Sequence, residues 1–206
     1  MTKRRGRAWM AEHVSDPFVR RAQQDGYRSR AAYKLIEIDE RHRLLRPGRR
    51  VVDLGAAPGG WSQVAIERVG SGGTVVGLDR LEMAAIPGVT LLQADFEEES
   101  GLTALLAALP SAGADVVLSD MAPNLSGVRD ADQARAAALA ELALDLAIRV
   151  LVPGGAMVVK LFQGAGFDDW LAAARAEFDR VQVRKPDASR SRSREVYAVA
   201  EGRKGS

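Results

Sequence analysis

Three aspartates, Asp79, Asp95 and Asp120, each stand at or just beyond the end of a short apolar run, and Lys160 stands inside another. A carboxylate at the end of the second strand of a nucleoside-binding α/β fold can accept both ribose hydroxyls, which makes Asp79 a candidate ribose ligand; the same residue can also close a plain turn. Asp95, within Ala-Asp-Phe, can accept from an adenine exocyclic amine while Phe96 or its neighbours pack the ring. Asp120 opens Asp-Met-Ala-Pro-Asn, a polar segment delivered to the sheet edge where open α/β folds bind ligands. Lys160 lies among Met157, Val158, Val159, Leu161 and Phe162, where burial is costly unless the lysine is paired or serves a site. Lys34, on its residue type alone, is an ordinary solvated lysine on a helix.

Placing these groups requires strands that end in turns. Residues 51–54 form an apolar, β-branched run that gives way to Gly55-Ala-Ala-Pro-Gly-Gly60 and then to Trp61-Ser-Gln-Val-Ala-Ile66, a strand, a glycine turn and a helix start. Such a turn cradles a nucleotide, with the first N–H groups of the helix aimed at the ligand. It lacks G-x-G-x-x-G, and the chain has no phosphate loop, so the expected ligand is nucleoside-like and carries no pyrophosphate. Further strands are expected over 73–79, 89–93, 115–119, 156–162, 181–184 and 195–200. Helices are expected from a Ser29 cap to about His42, near 102–109, over 129–150 and over 167–178. Strands alternating with helices predict a doubly wound, mostly parallel α/β sheet.

The 206 residues, 47% hydrophobic, fit one domain with a sizeable core. Absence of cysteine excludes disulfides and cysteine-based zinc sites, and two separated histidines give no reason to expect a metal. No apolar segment approaches membrane-spanning length and no apolar run follows the basic start, so a cytoplasmic, monomeric protein with no membrane partner is expected. The net charge of +2 conceals an uneven distribution: 14 Lys and Arg against 6 Asp and Glu over residues 1–50, 7 against 18 over 51–179, and 8 against 3 over 180–206. If the basic ends meet, they form one face suited to a polyanion, with Arg20, Arg21, Arg28 and Arg30 extending it. Residues 1–15 read as a mobile basic arm, a solubilising tail or an RNA contact. The Ser/Arg stretch at 185–194 is either a phosphate-binding loop or a disordered one.

From about Ser15 to Arg203 the chain resembles the FtsJ-like ribosomal RNA 2′-O-methyltransferases. The motifs that carry the likeness are Asp-Leu-Gly-Ala-Ala-Pro-Gly-Gly-Trp-Ser-Gln at 53–63, Ser-Asp-Met-Ala-Pro-Asn at 119–124, Val-Val-Lys-Leu-Phe-Gln-Gly at 158–164 and Arg-Lys-Pro-Asp-Ala-Ser-Arg-Ser-Arg-Ser-Arg-Glu-Val-Tyr at 184–197. The resemblance implies a Rossmann-like, seven-stranded methyltransferase sheet with a reversed last strand, S-adenosylmethionine as cofactor, and a uridine ribose of large-subunit (23S) ribosomal RNA as substrate. It also implies a Lys-Asp-Lys-Glu tetrad at Lys34, Asp120, Lys160 and Glu195, with Lys160 as proton acceptor, and cofactor contacts at Gly59, Trp61, Asp79, Asp95 and Asp120. Lys160 is expected to pair with both Asp120 and Glu195. Arg80-Leu-Glu-Met83 departs from the family, which commonly has a Leu and a Pro before the Met. An RNA-binding assembly module without turnover is the alternative; a nicotinamide dehydrogenase is disfavoured by the glycine turn.

Overall fold

Val51 and Val52 are neighbours in sequence and point to opposite faces of one sheet, and each face has its own core. The computed structural model describes residues 16–123, 126–190 and 193–205; the basic arm expected over 1–15 lies outside them, as do Asn124 and Arg192. In chain order the described elements are α1 (Pro17–Asp25), α2 (Ala32–His42), β1 (Arg50–Leu54), α3 (Gly60–Val69), β2 (Thr74–Asp79), β3 (Val89–Gln93), α4 (Glu99–Ala108), β4 (Ala114–Ser119), α5 (Arg129–Val150), β5 (Leu151–Phe162), α6 (Phe167–Glu177), β6 (Phe178–Arg184) and β7 (Glu195–Arg203).

The strands make one seven-stranded sheet in the order β3-β2-β1-β4-β5-β7-β6. β1 to β5 pair in parallel, and β7 runs antiparallel to both β5 and β6. Val52, Leu54, Val76, Val117 and Met157 bury one face against α4, α5 and α6, while Val51, Val75, Val116 and Val158 bury the other against α2 and α3. The alternation is the period-2 signature of strands covered on both faces. Strand order reverses between β1 and β4, and ligands in such sheets bind outside the carboxyl ends of the strands at that point. Among the described residues no helix is long and apolar enough to cross a membrane.

Three local expectations are corrected. Ser29 does not cap the lysine-bearing helix: α2 starts at Ala32 after Ala31, which has no side-chain capping bond, and residues 29–31 form the turn leading in, with the Ser29 carbonyl accepting from Ala32 N–H at 3.2 Å. α1 was not anticipated, yet it carries full punctuation. The Asp16 side chain accepts from Phe18 N–H, Pro17 opens the first turn, and Gly26 closes it at φ 78°. The strand expected from 156 already begins at Leu151, with residues 153–155 an excursion within β5 where the register against β4 shifts between Ala114 and Val116.

Candidate active site

Gly55, the residue after β1, has φ 71°, and a Cβ there would sit 2.7 Å from Met121 Cγ, so only glycine lets the segment after β4 approach so closely. Gly59, at φ 114°, is the N-cap of α3. The turn between them sets the floor of a cavity of about 550 Å³ at the carboxyl ends of β1, β2 and β4, whose lining includes Gly55, Asp79, Asp95, Phe96, Asp120 and Met121. Its charged lining is Asp79, Asp95, Glu97 and Asp120 against Arg80 and Arg135. Such a balance suits a cationic ligand and opposes a pyrophosphate.

Both carboxylate oxygens of Asp79 are held by backbone donors, Oδ2 by Ala57 N–H at 3.0 Å and Oδ1 by Leu81 N–H at 2.8 Å. Each oxygen keeps a second acceptor direction for a ligand. Beneath the turn Asp53 is fully buried, taking the Ser62 hydroxyl on Oδ2 at 2.6 Å, while Oδ1 has no partner. Burial pushes its carboxyl up to about 7, with the nearby charges of Asp120 and Asp79 adding to the rise and the Ser62 hydrogen bond opposing it.

At the far wall of the cavity a chain of hydrogen bonds begins. Lys160 Nζ donates to Asp120 twice, to its carbonyl and to Oδ1, the latter at 3.1 Å. Tyr197 OH donates to the same Oδ1 at 2.7 Å and accepts from Lys34 Nζ at 3.1 Å. Lys34 Nζ also donates to Glu195 Oε1 at 2.7 Å. Antiparallel register produces this, because Lys160 lies opposite Tyr197 and Phe162 opposite Glu195, so alternate residues of β5 and β7 share a face. Burial raises the Asp120 carboxyl, and the Lys160 and Lys34 charges with the Tyr197 hydrogen bond outweigh it, leaving Asp120 below the ordinary carboxylate value. Burial and the two carboxylates hold the Tyr197 phenol well above 10. Beyond Lys34 and Glu195 a second cavity, about 490 Å³, is lined by Arg30, Lys34, Ala188, Arg190, Ser193 and Glu195. Lysines and acids thus stand between an acidic cavity and a basic one.

Residues 27–203 match the model of the FtsJ-like methyltransferases. The chain belongs to that family. It is 57% identical over 197 residues to the ribosomal RNA large subunit methyltransferase E of Pseudomonas paraeruginosa, covering 96% of this chain and 95% of that one. The protein of the same name from Marinobacter nauticus is 57% identical over 194 residues, covering 94% of each. A solved ribosomal RNA methyltransferase structure from Plasmodium falciparum superposes with a TM-score of 0.77 at 29% identity, covering 87% of this chain and 100% of that one.

Within this FtsJ-like fold the four tetrad positions meet, but as two ion pairs. Lys160 pairs with Asp120 and not with Glu195, whose partner is Lys34. Tyr197, which the motif reading quoted without a role, joins the pairs; its position two residues after Glu195 put it on the same strand face, a signal available in the sequence. Asp79, Asp95 and Asp120 line the acidic cavity. Gly59 and Trp61 do not appear in that lining. The Trp61 indole is buried, donating to the Ala31 carbonyl at 2.8 Å and packing on Tyr197, so Trp61 can offer a ligand only its main chain. Arg30 is drawn inward, donating to Asp16 and to the Ala188 carbonyl, and so ties α1 to the basic loop.

Proposed function

We propose that this methyltransferase transfers a methyl group from S-adenosylmethionine to the 2′-hydroxyl of a uridine ribose in large-subunit ribosomal RNA. The observation that carries the reading is the position of the linked pairs, Asp120 with Lys160 and Lys34 with Glu195, between an acidic cavity fit for a cationic nucleoside and a basic cavity fit for a polyanion. The names of the bacterial relatives support the choice of RNA.

S-adenosylmethionine, when bound, supplies a methyl made electrophilic by its sulfonium. The acidic lining fits that ligand, with Asp79 available to the ribose hydroxyls, Asp95 to the adenine amine, Asp120 near the cationic end and the α3 N-terminus, through Gly59 and Trp61, to the carboxylate. What the chain itself must do is align a ribose oxygen and accept one proton. Asp120 accepts two of the three N–H bonds of Lys160, which fixes the amine and leaves one direction free. In the neutral amine that direction would be a lone pair, and there the hydroxyl proton would go as the oxygen–carbon bond forms and the methyl's bond to sulfur breaks, its electron pair staying on sulfur. Lys34 and Glu195, lining the basic cavity, hold the acceptor ribose.

The test has two arms. S-adenosylmethionine is expected to raise the unfolding temperature by mass action while NAD leaves it unchanged. Mass spectrometry of ribosomal RNA from a deletion strain is expected to show loss of one 2′-O-methyluridine, restored by the wild-type gene; an unaltered nucleoside map refutes the assignment.

A further inference from the structure

Arg28 belongs by sequence to the basic face, yet its guanidinium is aimed at main chain. Nη1 donates to the Ala84 carbonyl at 2.6 Å and to the Pro58 carbonyl at 3.4 Å, and Nη2 donates to the Ala85 carbonyl at 2.7 Å. Pro58 lies in the glycine turn, and Ala84 and Ala85 lie in the connection from β2 to β3. One planar fork therefore spans the two segments that flank Asp79. Among the described residues no carboxylate pairs with Arg28.

The base of this side chain is itself anchored. Arg28 N–H donates to Gln63 Oε1 at 2.8 Å, and Gln63 Nε2 returns a hydrogen bond to the Gly26 carbonyl at 3.0 Å, fastening residues 26–28 to α3. Gly59 makes room for the crossing: a Cβ there would lie 3.1 Å from Arg28 Cδ and Nη1 and 2.7 Å from Ile86 Cδ1. The clamped connection has little else to hold it, since Ile86 is the one buried residue between 80 and 88. Yet it controls the site, because Leu81 N–H fixes Asp79 Oδ1.

We infer that Arg28 is a positioning residue of the methyl-donor site: it closes the 80–88 connection against the glycine turn, orients Asp79 through Leu81, and makes no phosphate contact of its own. This rests on the acidic cavity being the S-adenosylmethionine site. Lysine carries the charge but cannot bridge carbonyls on two segments, so charge-preserving replacement separates a clamp from a phosphate ligand.

The experiment compares wild type with Arg28→Lys and Arg28→Met, the latter retaining an apolar stem. Without ligand, hydrogen exchange at Leu81 and its neighbours is expected to accelerate in both variants while α5 and β5 keep their protection. By calorimetry S-adenosylmethionine is expected to bind both variants at least about tenfold more weakly, while Arg28→Met keeps the wild-type slope of log RNA affinity against log salt, a slope that loss of a phosphate ligand would flatten. Unchanged exchange in the 80–88 connection overturns the clamp whether or not wild type binds the nucleoside. Failure of wild type to bind it overturns the reading of the cavity instead. Wild-type donor affinity in both variants, with exchange accelerated, likewise overturns the positioning role.

Discussion

Lys160 and Asp120 share more than a salt bridge, because the same Oδ1 that receives Lys160 also receives the Tyr197 hydroxyl. Replacing Lys160 by arginine keeps the charge but installs a guanidinium that cannot serve as a proton acceptor. Lys160→Arg is therefore expected to lower kcat at least about 10²-fold with donor affinity retained; substantial single-turnover activity would reduce Lys160 to a positioning role. Tyr197→Phe tests the bridge. Without the hydroxyl, Asp120 Oδ1 keeps Lys160 as its one side-chain donor and Lys34 loses its link to the other pair. The single-turnover rate at neutral pH should fall about tenfold, the scale of one hydrogen bond to a charged group, with donor affinity retained. A wild-type rate would leave Tyr197 a packing residue. Lys160 was legible as a lysine among apolar neighbours. Its pairing with Asp120 was also expected; the partner of Glu195 was not legible, because whether Glu195 reaches Lys160 or Lys34 depends on how α2 docks, which strand periodicity does not encode.

At the scale of elements, the basic loop between β6 and β7 lies beside the tetrad and is not a remote tail. Arg190 lines the basic cavity, Arg194 donates to the Gln163 carbonyl after β5, and Ala188 is buried in a small cluster with Ala22 and Tyr33. Replacing Arg190 and Arg194 by alanine is expected to weaken RNA binding and flatten its salt dependence by about 0.7–0.9 log unit per lost phosphate contact. A slope equal to that of wild type would remove the loop from the interface. Strands were read closely, β3 and the body of β4 within a residue, because apolar runs bounded by Gly, Asp and Pro leave few alternatives. α1 was missed since Arg20, Arg21, Gln23 and Gln24 hide its apolar stripe of Phe18 and Ala22, although Asp16-Pro17 and Gly26 marked both ends. Arg28 and Arg30 were counted as surface charge because composition cannot tell a guanidinium facing solvent from one facing carbonyls.

For the molecule as a whole, Asp53 ties stability to pH. Its folded-state carboxyl titrates at about 7 against an ordinary 3.8. Between those values the folded chain keeps a proton that the unfolded chain has released, so this residue makes stability fall as pH rises from about 4 to about 7, with no further loss above. Asp53→Asn keeps an acceptor for Ser62 and removes the titration. Its unfolding temperature is expected to exceed that of wild type at pH 8 and to approach it at pH 5; equal differences at both pH values would refute the linkage. Fold class was legible from the alternation of strands and helices, and the family from its motifs, while the strand order was not read in advance. The burial that makes Asp53 titrate was not, since it depends on what α3 covers.

Reversal of β7 has a consequence in time. Lys34 is synthesised 161 residues before Glu195, and Tyr197 follows later still. Before those residues appear, β5 has a bare edge, β6 has no neighbour, and one of the two ion pairs cannot form. The growing chain is therefore inert through most of its synthesis and gains its chemistry in one late step.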